Sequence, residues 1–446
     1  MRIILAGAGE VGSHLVKMLS NEDHDIIVID NDGDRLKSVS GSLDVMTLEG
    51  NANSISILKE SKVNKADLFI AVTYSEDVNI NSAILSKTLG AKKTIARIDN
   101  EEYLLPANKE IFSTLGIDYM IYPEKIASRE VVGLIAQTGS TEVVEFSGGK
   151  LQMYVIKLDE HALIIDKSLK EIDPEKANKD FRAVALTRGG RTLIPTGDDT
   201  FKKGDLVYVI SNKAGMKDLY KYSGKQQFDV RNIMILGGSR IGMKTAKALG
   251  NQHYVKMIEI DRQKSYKLSN LLPNTLVING DGTNMELLKN EGLEKMDAFI
   301  AVTGNSDTNI LSCLLAKHMG VKRTIAEVEN MDYIQLAEQI GIDTIINKKL
   351  ITASRIFRFT MSEEVSSLKC LTGTDAEVLE FIVKPESKIL KAPLKDINFP
   401  KEAIIGGVIR GKNSFIAHGD TVIKPYDRVI VFALPSQIFI VGKFFN

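Results

Sequence analysis

Two kinds of periodicity alternate along the chain. Near the start, short continuous apolar runs are separated by segments whose apolar residues recur every three or four positions: "RIILAG", then "SHLVKMLS", then "DIIVID". "DLFIAVT" and "KTIARI" continue the series, with "NINSAILSKTL" between them. Apolar runs of about four to six residues predict strands buried on both faces, and the segments between them predict amphipathic helices. Strands of that kind, joined by helical crossovers, form a parallel sheet covered on both sides. Further on the pattern changes. "LQMYVIKL" and "DLVYVIS" are short strands bounded by Gly and Asp turns, with one short helix expected around "SLKEI". That stretch predicts a small α+β unit.

The whole plan then recurs. At a shift of 230, "DLFIAVTYSEDVNINSAILSKTLGAKKTIARIDN" (67–100) falls on "DAFIAVTGNSDTNILSCLLAKHMGVKRTIAEVEN" (297–330) with 18 identities in 34 positions. At a shift of 222, Arg188, Gly197 and Asp205 fall on Arg410, Gly419 and Asp427. A repeat of that length is a duplicated unit and has to be recognised before any fold is assigned. The expected fold class is α/β: two Rossmann-like doubly wound parallel-sheet domains, each followed by a small α+β domain. The units run over 1–138 (N1), 139–226 (C1), 227–366 (N2) and 367–446 (C2). The stretches 123–135 and 348–360 sit at equivalent places after the last strand of N1 and N2. Both predict amphipathic helices that cross to a neighbouring lobe and make a dimer contact.

The chemistry sits where strand meets helix. Gly7-x-Gly9-x-x-Gly12 follows "RIILA" and opens "EVGSHLVKML". The first glycine permits the tight turn, the second admits a pyrophosphate, and the third lets helix and sheet approach. The helix N-terminus offers free N–H groups and partial positive charge to phosphates. Asp30 ends the second strand, 18 residues after Gly12. A carboxylate there accepts ribose hydroxyls and repels a 2′-phosphate, which favours NAD(H) over NADP(H). Thr73, Tyr74, Asn51, Ala52 and Arg97 occupy other strand ends of N1, where ligands of open α/β sheets lie. Ala8, Glu10 and Val11 complete the loop.

The corresponding N2 candidates are Gly237, Gly238, Ser239, Arg240, Gly242, Glu259, Asp281 and Thr303. Ser239 replaces the middle glycine, and Glu327 replaces Arg97. Both changes weaken anion binding, whereas Glu259 retains the ribose carboxylate and Arg240 adds a positive charge. N2 is expected to bind nucleotide more weakly than N1, or a different one, with ATP, ADP and NAD all open.

Composition narrows the rest. Lys+Arg and Asp+Glu are both 57, which argues against a nucleic-acid surface. There are two cysteines, Cys313 and Cys370, and no Cys-x-x-Cys. A disulfide framework or cysteine zinc site is not supported. Neither a signal peptide nor an apolar run of the roughly 18 residues that span a bilayer is expected. The six histidines, at 14, 24, 161, 253, 318 and 418, form no metal-ligand spacing, and no repeat position shares one. Asp198/Asp420 and Asp205/Asp427 read as turn residues. A dehydrogenase needs an acid or base beside the nicotinamide. None is visible, so a non-enzymatic sensor leads and an NAD-dependent oxidoreductase with an unrecognised site is the alternative.

The whole chain resembles the TrkA family of Trk potassium-uptake regulatory subunits, built from two tandem RCK units. The resemblance rests on "GAGEVG", "VIDND", "GNA", "DLFIAVTYSEDVN" and "TIARI" in N1. It also rests on "DAFIAVTGNSDTNILS" in N2, on "DLVYV" and "DRVIV" in the C units, and on the N-C-N-C order. It implies a cytoplasmic subunit held at the inner face of the membrane by a TrkH-like potassium-translocating partner. It implies assembly through N-lobes into a dimeric or tetrameric gating ring, and flux modulated by NAD(H) or, in some members, ATP. By the family pattern the ligand contacts fall on Gly7, Gly9, Glu10, Val11, Asp30, Asn51, Ala52, Thr73, Tyr74 and Arg97.

Overall fold

The computed structural model describes residues 1–20, 24–136, 140, 142–168, 171, 180–188, 191–212, 214–225, 228–360, 365–370 and 376–445. N1 runs β1 (Arg2–Ala6), α1 (Glu10–Ser20), β2 (Asp25–Asp30), α2 (Gly33–Ser40), β3 (Met46–Glu49), α3 (Ile55–Glu60) and β4 (Leu68–Ala71). It continues with α4 (Glu76–Thr88), β5 (Lys93–Arg97), α5 (Pro106–Thr114), β6 (Tyr119–Ile121) and α6 (Pro123–Ala136). The sheet is parallel, in the order β3-β2-β1-β4-β5-β6. That order reverses direction between β1 and β4, which puts the glycine loop at the crevice where such sheets bind ligands. Ile3, Ile4 and Leu5 of β1 are wholly buried, as a central strand covered on both faces requires.

C1 holds β7 (Glu142–Phe146), β8 (Leu151–Lys157), β9 (Phe181–Arg188), β10 (Arg191–Leu193), β11 (Leu206–Ser211) and α7 (Met216–Ser223). Its antiparallel order is β10-β9-β11-β8-β7. The helix expected around "SLKEI" falls largely outside the described residues. α7 is the helix of this unit among the described residues.

N2 repeats N1 as β12 (Asn232–Leu236), α8 (Arg240–Leu249), β13 (Tyr254–Glu259), α9 (Arg262–Leu271), β14 (Thr275–Asn279), α10 (Met285–Asn290) and β15 (Ala298–Ala301). It ends with α11 (Ser306–His318), β16 (Arg323–Glu327), α12 (Met331–Gln339), β17 (Thr344–Ile346) and α13 (Lys348–Phe357). Its sheet order, β14-β13-β12-β15-β16-β17, is that of N1. C2 follows with β18 (Val365–Cys370), β19 (Glu377–Ile382), β20 (Ala403–Arg410), β21 (Asn413–Ile416), β22 (Arg428–Ala433) and α14 (Ile438–Gly442). Among the described residues no helix is long and apolar enough to cross a membrane.

The chain forms two compact units, Met1–Ile126 with Lys348–Glu363, and Ala127–Asn347 with Glu364–Asn446. The division shows that the helices following β6 and β17 leave their own lobes. In the first unit α13 lies along α1, and the Tyr119 ring of N1 meets Phe359 just past α13 at a tilt of 35°, with ring centroids 4.1 Å apart. In the second unit Ser128 of α6 meets Thr245 of α8 at 3.3 Å. The lobes exchange these helices within one chain.

The second unit also fuses C1 and C2 into one core. Val144, Met153, Tyr208 and Ile210 share it with Val378, Ile409, Ile430 and Phe432. A Cβ on Gly406 would stand 2.1 Å from Ile210 Cδ1 and 2.9 Å from Val184 Cγ1, so a side chain there would have to displace the C1 residues it faces.

C1 also meets N2. Lys157 Nζ donates to the Glu338 carbonyl at 2.6 Å, and Glu142, Lys157, Glu338 and Asp343 line one cleft. Burial above all, with the charge of Glu142 adding and that of Lys157 opposing, pushes the Glu338 carboxyl up to about 7. A raised carboxyl stabilises the fold when protonated. Its contribution is complete below the ordinary value of 4.5 and is lost as pH rises through about 7. We therefore expect Glu338→Gln to match the parent near pH 5 and to exceed it near pH 8 by about 1–3 kcal/mol. Thermal melts of both proteins at the two pH values check this. Parallel profiles would refute it.

Candidate functional site

The glycine loop of N1 is built as its motif predicts. Gly7 has φ +109°, and its N–H donates to the Ile29 carbonyl at 2.8 Å, tying the turn to β2. A Cβ on Gly12 would lie 1.8 Å from the Gly7 carbonyl oxygen, so α1 can rest on the turn only with glycine there. Around Gly9 a Cβ would meet nothing within 4 Å. The steric reason for glycine at that position is therefore not in the protein itself.

Asp30 is 7% exposed at the end of β2. Its Oδ2 accepts from the Ala8 N–H at 2.6 Å and its Oδ1 from the Asp32 N–H at 2.9 Å. Each oxygen keeps lone-pair capacity for a further donor. The carboxylate is thus held beside the loop, and Val11 is the second residue of α1.

Across the switch point, Thr73 is fixed by Asn79, whose Oδ1 accepts from the Thr73 N–H at 2.8 Å and from its hydroxyl at 2.7 Å. Asn79 Nδ2 also donates to the Arg97 carbonyl at 3.1 Å, so one buried amide sets two strand ends. Asn309 repeats this in N2 with Thr303 (2.9 Å) and the Glu327 carbonyl (2.8 Å). Both asparagines lie outside the glycine motif, and their identity at a shift of 230 is the signal that marks them in the sequence. Arg97 is mostly buried. Its Nη2 reaches Asp99 at 3.4 Å, and its Nε is buried without a hydrogen-bond partner. Tyr74 is 94% exposed, Asn51 is exposed and Ala52 is buried. The open space over Gly9, the spare acceptor capacity of Asp30 and the orphaned Arg97 Nε fit a dinucleotide with its pyrophosphate on the loop.

N2 keeps the frame and changes the contents. Gly237 has φ +97°, and a Cβ on Gly242 would lie 2.1 Å from its carbonyl oxygen. Ser239 caps α8, its hydroxyl accepting from the Gly242 N–H at 3.2 Å. Glu259 accepts from the Gly238 N–H (2.9 Å) and the Asp261 N–H (3.0 Å), as Asp30 does in N1. It also takes the Lys264 ammonium at 2.8 Å, a partner with no counterpart on Asp30. Burial would raise this carboxyl. The ammonium and the two N–H donors outweigh burial and hold it below the usual carboxylate range. Asp281 is exposed and turned onto its own loop, accepting from the Thr283 N–H at 2.9 Å and its hydroxyl at 2.8 Å. These two bonds hold its carboxyl low. Arg240 is exposed at the start of α8, and Glu327 is buried. Volumes have been exchanged as well. Gly238 faces Leu268 and Gly282 faces Leu236, at positions where the sequence of N1 has Ala8 and Val39, and Ala52 and Ala6, all four of them buried.

Among the described residues no cluster of three or more His, Cys, Asp or Glu side chains could hold a metal ion. Two of the recurring aspartates of the C units hold turns, Asp205 and Asp427 accepting from the Lys202 and Lys424 N–H groups at 2.8 Å, and they also meet arginines. Asp205 and Asp427 are 1% exposed and accept paired bonds from Arg188 and Arg410. Asp420, by contrast, is at the surface and paired with Lys395 at 2.6 Å.

Comparison with known proteins adds the family. The TrkA-N domain matches residues 3–123 and 233–348, and the TrkA-C domain matches 153–224 and 378–440. The Trk system potassium uptake protein TrkA homolog 2 of Methanosarcina mazei is 34% identical over 456 residues, spanning 100% of both chains. A TrkA homolog of Archaeoglobus fulgidus is 35% identical over 448 residues, again spanning 100% of both. Among solved structures, the GsuK RCK domain superimposes with TM-score 0.61 at 17% identity, covering 99% of this chain and 94% of that one. A GsuK channel bound to NAD gives TM-score 0.60 at 16% identity, covering 100% and 78%. At such identities the structures speak for the fold alone: tandem RCK units, each with a Rossmann-like sheet. With both copies of both domains matched and relatives aligned end to end, the chain belongs to the TrkA family of Trk potassium-uptake regulatory proteins.

Proposed function

We propose that this chain is a nucleotide-sensing regulatory subunit that gates a Trk-type potassium uptake system, with N1 as its NAD(H) site. The observation that carries the reading is the Asp30 carboxylate held against the Ala8 N–H at 2.6 Å, beside a loop left open over Gly9. The fit of Arg97 to a phosphate supports it, as does the NAD named for a GsuK channel of the same fold. The units divide near residues 138, 226 and 366. N2 binds nucleotide weakly or takes ATP or ADP, because Lys264 already occupies its carboxylate. Nucleotide occupancy biases a conformational equilibrium that a TrkH-like membrane subunit reads, and the protein transfers no hydride. It works at the inner face of the membrane as a homo-oligomeric ring.

Asp30→Ala is expected to weaken NADH binding about tenfold or more, since it removes charge-assisted bonds to ribose hydroxyls. Fluorescence titration of the full chain measures this. Unchanged affinity would remove N1 as the NADH site. Potassium flux through the co-expressed membrane subunit, with and without NADH and ATP, tests the gating role. Nucleotide-independent flux would overturn it.

A further inference from the structure

α13 brings a lysine, Lys349, to the first nucleotide loop from more than 300 residues away in the chain. Lys349, in its first turn, pairs with Glu10, the residue directly after Gly9 and the first of α1. The Lys349 side chain is 13% exposed, whereas Glu10 is 67% exposed. Lys348 lies beside Glu124 at 3.8 Å. An ammonium this far removed from water needs a counter-charge, and burial pulls its pKa down. Glu10 supplies that charge. It also places a carboxylate at the N-terminus of α1, the position that nucleotide phosphates occupy in such folds. Glu10 and a pyrophosphate therefore compete for the same positive field and for the same lysine. At the equivalent first residue of α8, N2 carries Arg240, so this acid is particular to N1.

We propose that Lys349 reads the phosphates of the nucleotide bound in N1, exchanging its Glu10 partner for them. The proposal rests on the reading of N1 as a nucleotide site. α13 follows the last strand of N2 and leads into C2, so the exchange gives the second half of the chain a direct report of N1 occupancy. The ligand class it selects is a nucleotide with two or more phosphate groups.

The test uses the full chain with Lys349→Gln, Glu10→Gln and Asp30→Ala, titrated with NADH and with ADP. Lys349→Gln is expected to weaken both ligands about tenfold and to flatten the salt dependence of binding. Glu10→Gln is expected to tighten both several-fold, because it removes the competing carboxylate. If the pair were only a structural tie between α13 and α1, both variants would loosen the same contact and shift affinity in the same direction. Shifts of equal sign, or no shift in Lys349→Gln while Asp30→Ala weakens NADH, would overturn the proposal and leave the N1 assignment standing. Failure of the parent protein to bind either nucleotide would overturn both.

Discussion

Asp427→Ala is expected to destabilise the second C unit by about 2–4 kcal/mol. Asp427 is 1% exposed and accepts from Arg410 Nε at 2.8 Å, from Arg410 Nη2 at 2.6 Å, and from the Lys424 N–H at 2.8 Å. Alanine would abandon a guanidinium and orphan a main-chain donor together. The Arg410 side chain is 34% exposed, so it can recover part of its hydration, which puts the estimate below the full cost of splitting a buried pair. The guanidinium also donates to the Val422 carbonyl at 2.8 Å and lies over the Phe415 ring, so it stays anchored when the acid is lost. C1 repeats the arrangement, with Asp205 accepting from Arg188 at 2.8 and 2.7 Å and from the Lys202 N–H at 2.8 Å. Asp205→Ala should cost a similar amount. Urea denaturation of each variant gives the measurement. A loss under about 1 kcal/mol would mean that the carboxylates serve only the neighbouring turns.

That the sequence pointed to turns at Asp205 and Asp427 shows where its information ends. Gly-Asp spacing announces a turn because local backbone chemistry demands it. The arginine that meets the carboxylate is 17 residues earlier on another strand, and no local pattern links the two. The N lobes were legible because each strand is a continuous apolar run and each loop carries glycine where the backbone turns. The shared core of C1 and C2 was not. Met153 and Tyr208 read as ordinary strand residues, and nothing in their spacing names Phe432 or Ile430 as neighbours. Likewise the amphipathic faces of α6 and α13 promised a partner, without saying that it lay in the other lobe of the same chain. At the site, Asp30 and Glu259 were visible from the motif. Lys264, which sets the Glu259 environment apart from that of Asp30, and Lys349, which meets Glu10, came into view only with side-chain geometry.

The two inner glycines of N1 separate folding from binding, and their alanine variants should differ sharply. Gly12→Ala puts a carbon 1.8 Å from the Gly7 carbonyl oxygen and 3.2 Å from Leu5 Cδ2, both fixed parts of the fold. The clash is with backbone, so no rotamer relieves it and α1 must lift from the sheet. A loss of about 1–3 kcal/mol is expected, as for overpacking elsewhere. NADH binding should fall well over tenfold, since the loop and the helix N-terminus move together. Gly9→Ala meets nothing within 4 Å, so stability should change by less than about 0.5 kcal/mol. Its effect falls on the ligand, because the new methyl stands where a pyrophosphate would approach the main chain. NADH affinity should drop about tenfold while the melting curve stays in place. N2 already carries a side chain at this position in Ser239, so Ser239→Gly should tighten whatever nucleotide N2 accepts, at the cost of the cap on the Gly242 N–H. Melting curves and NADH titrations on the same preparations decide the matter. A Gly9→Ala protein that binds NADH like the parent would mean that the pyrophosphate does not cross this loop. N1 would then hold its ligand through Asp30 and the far strand ends alone.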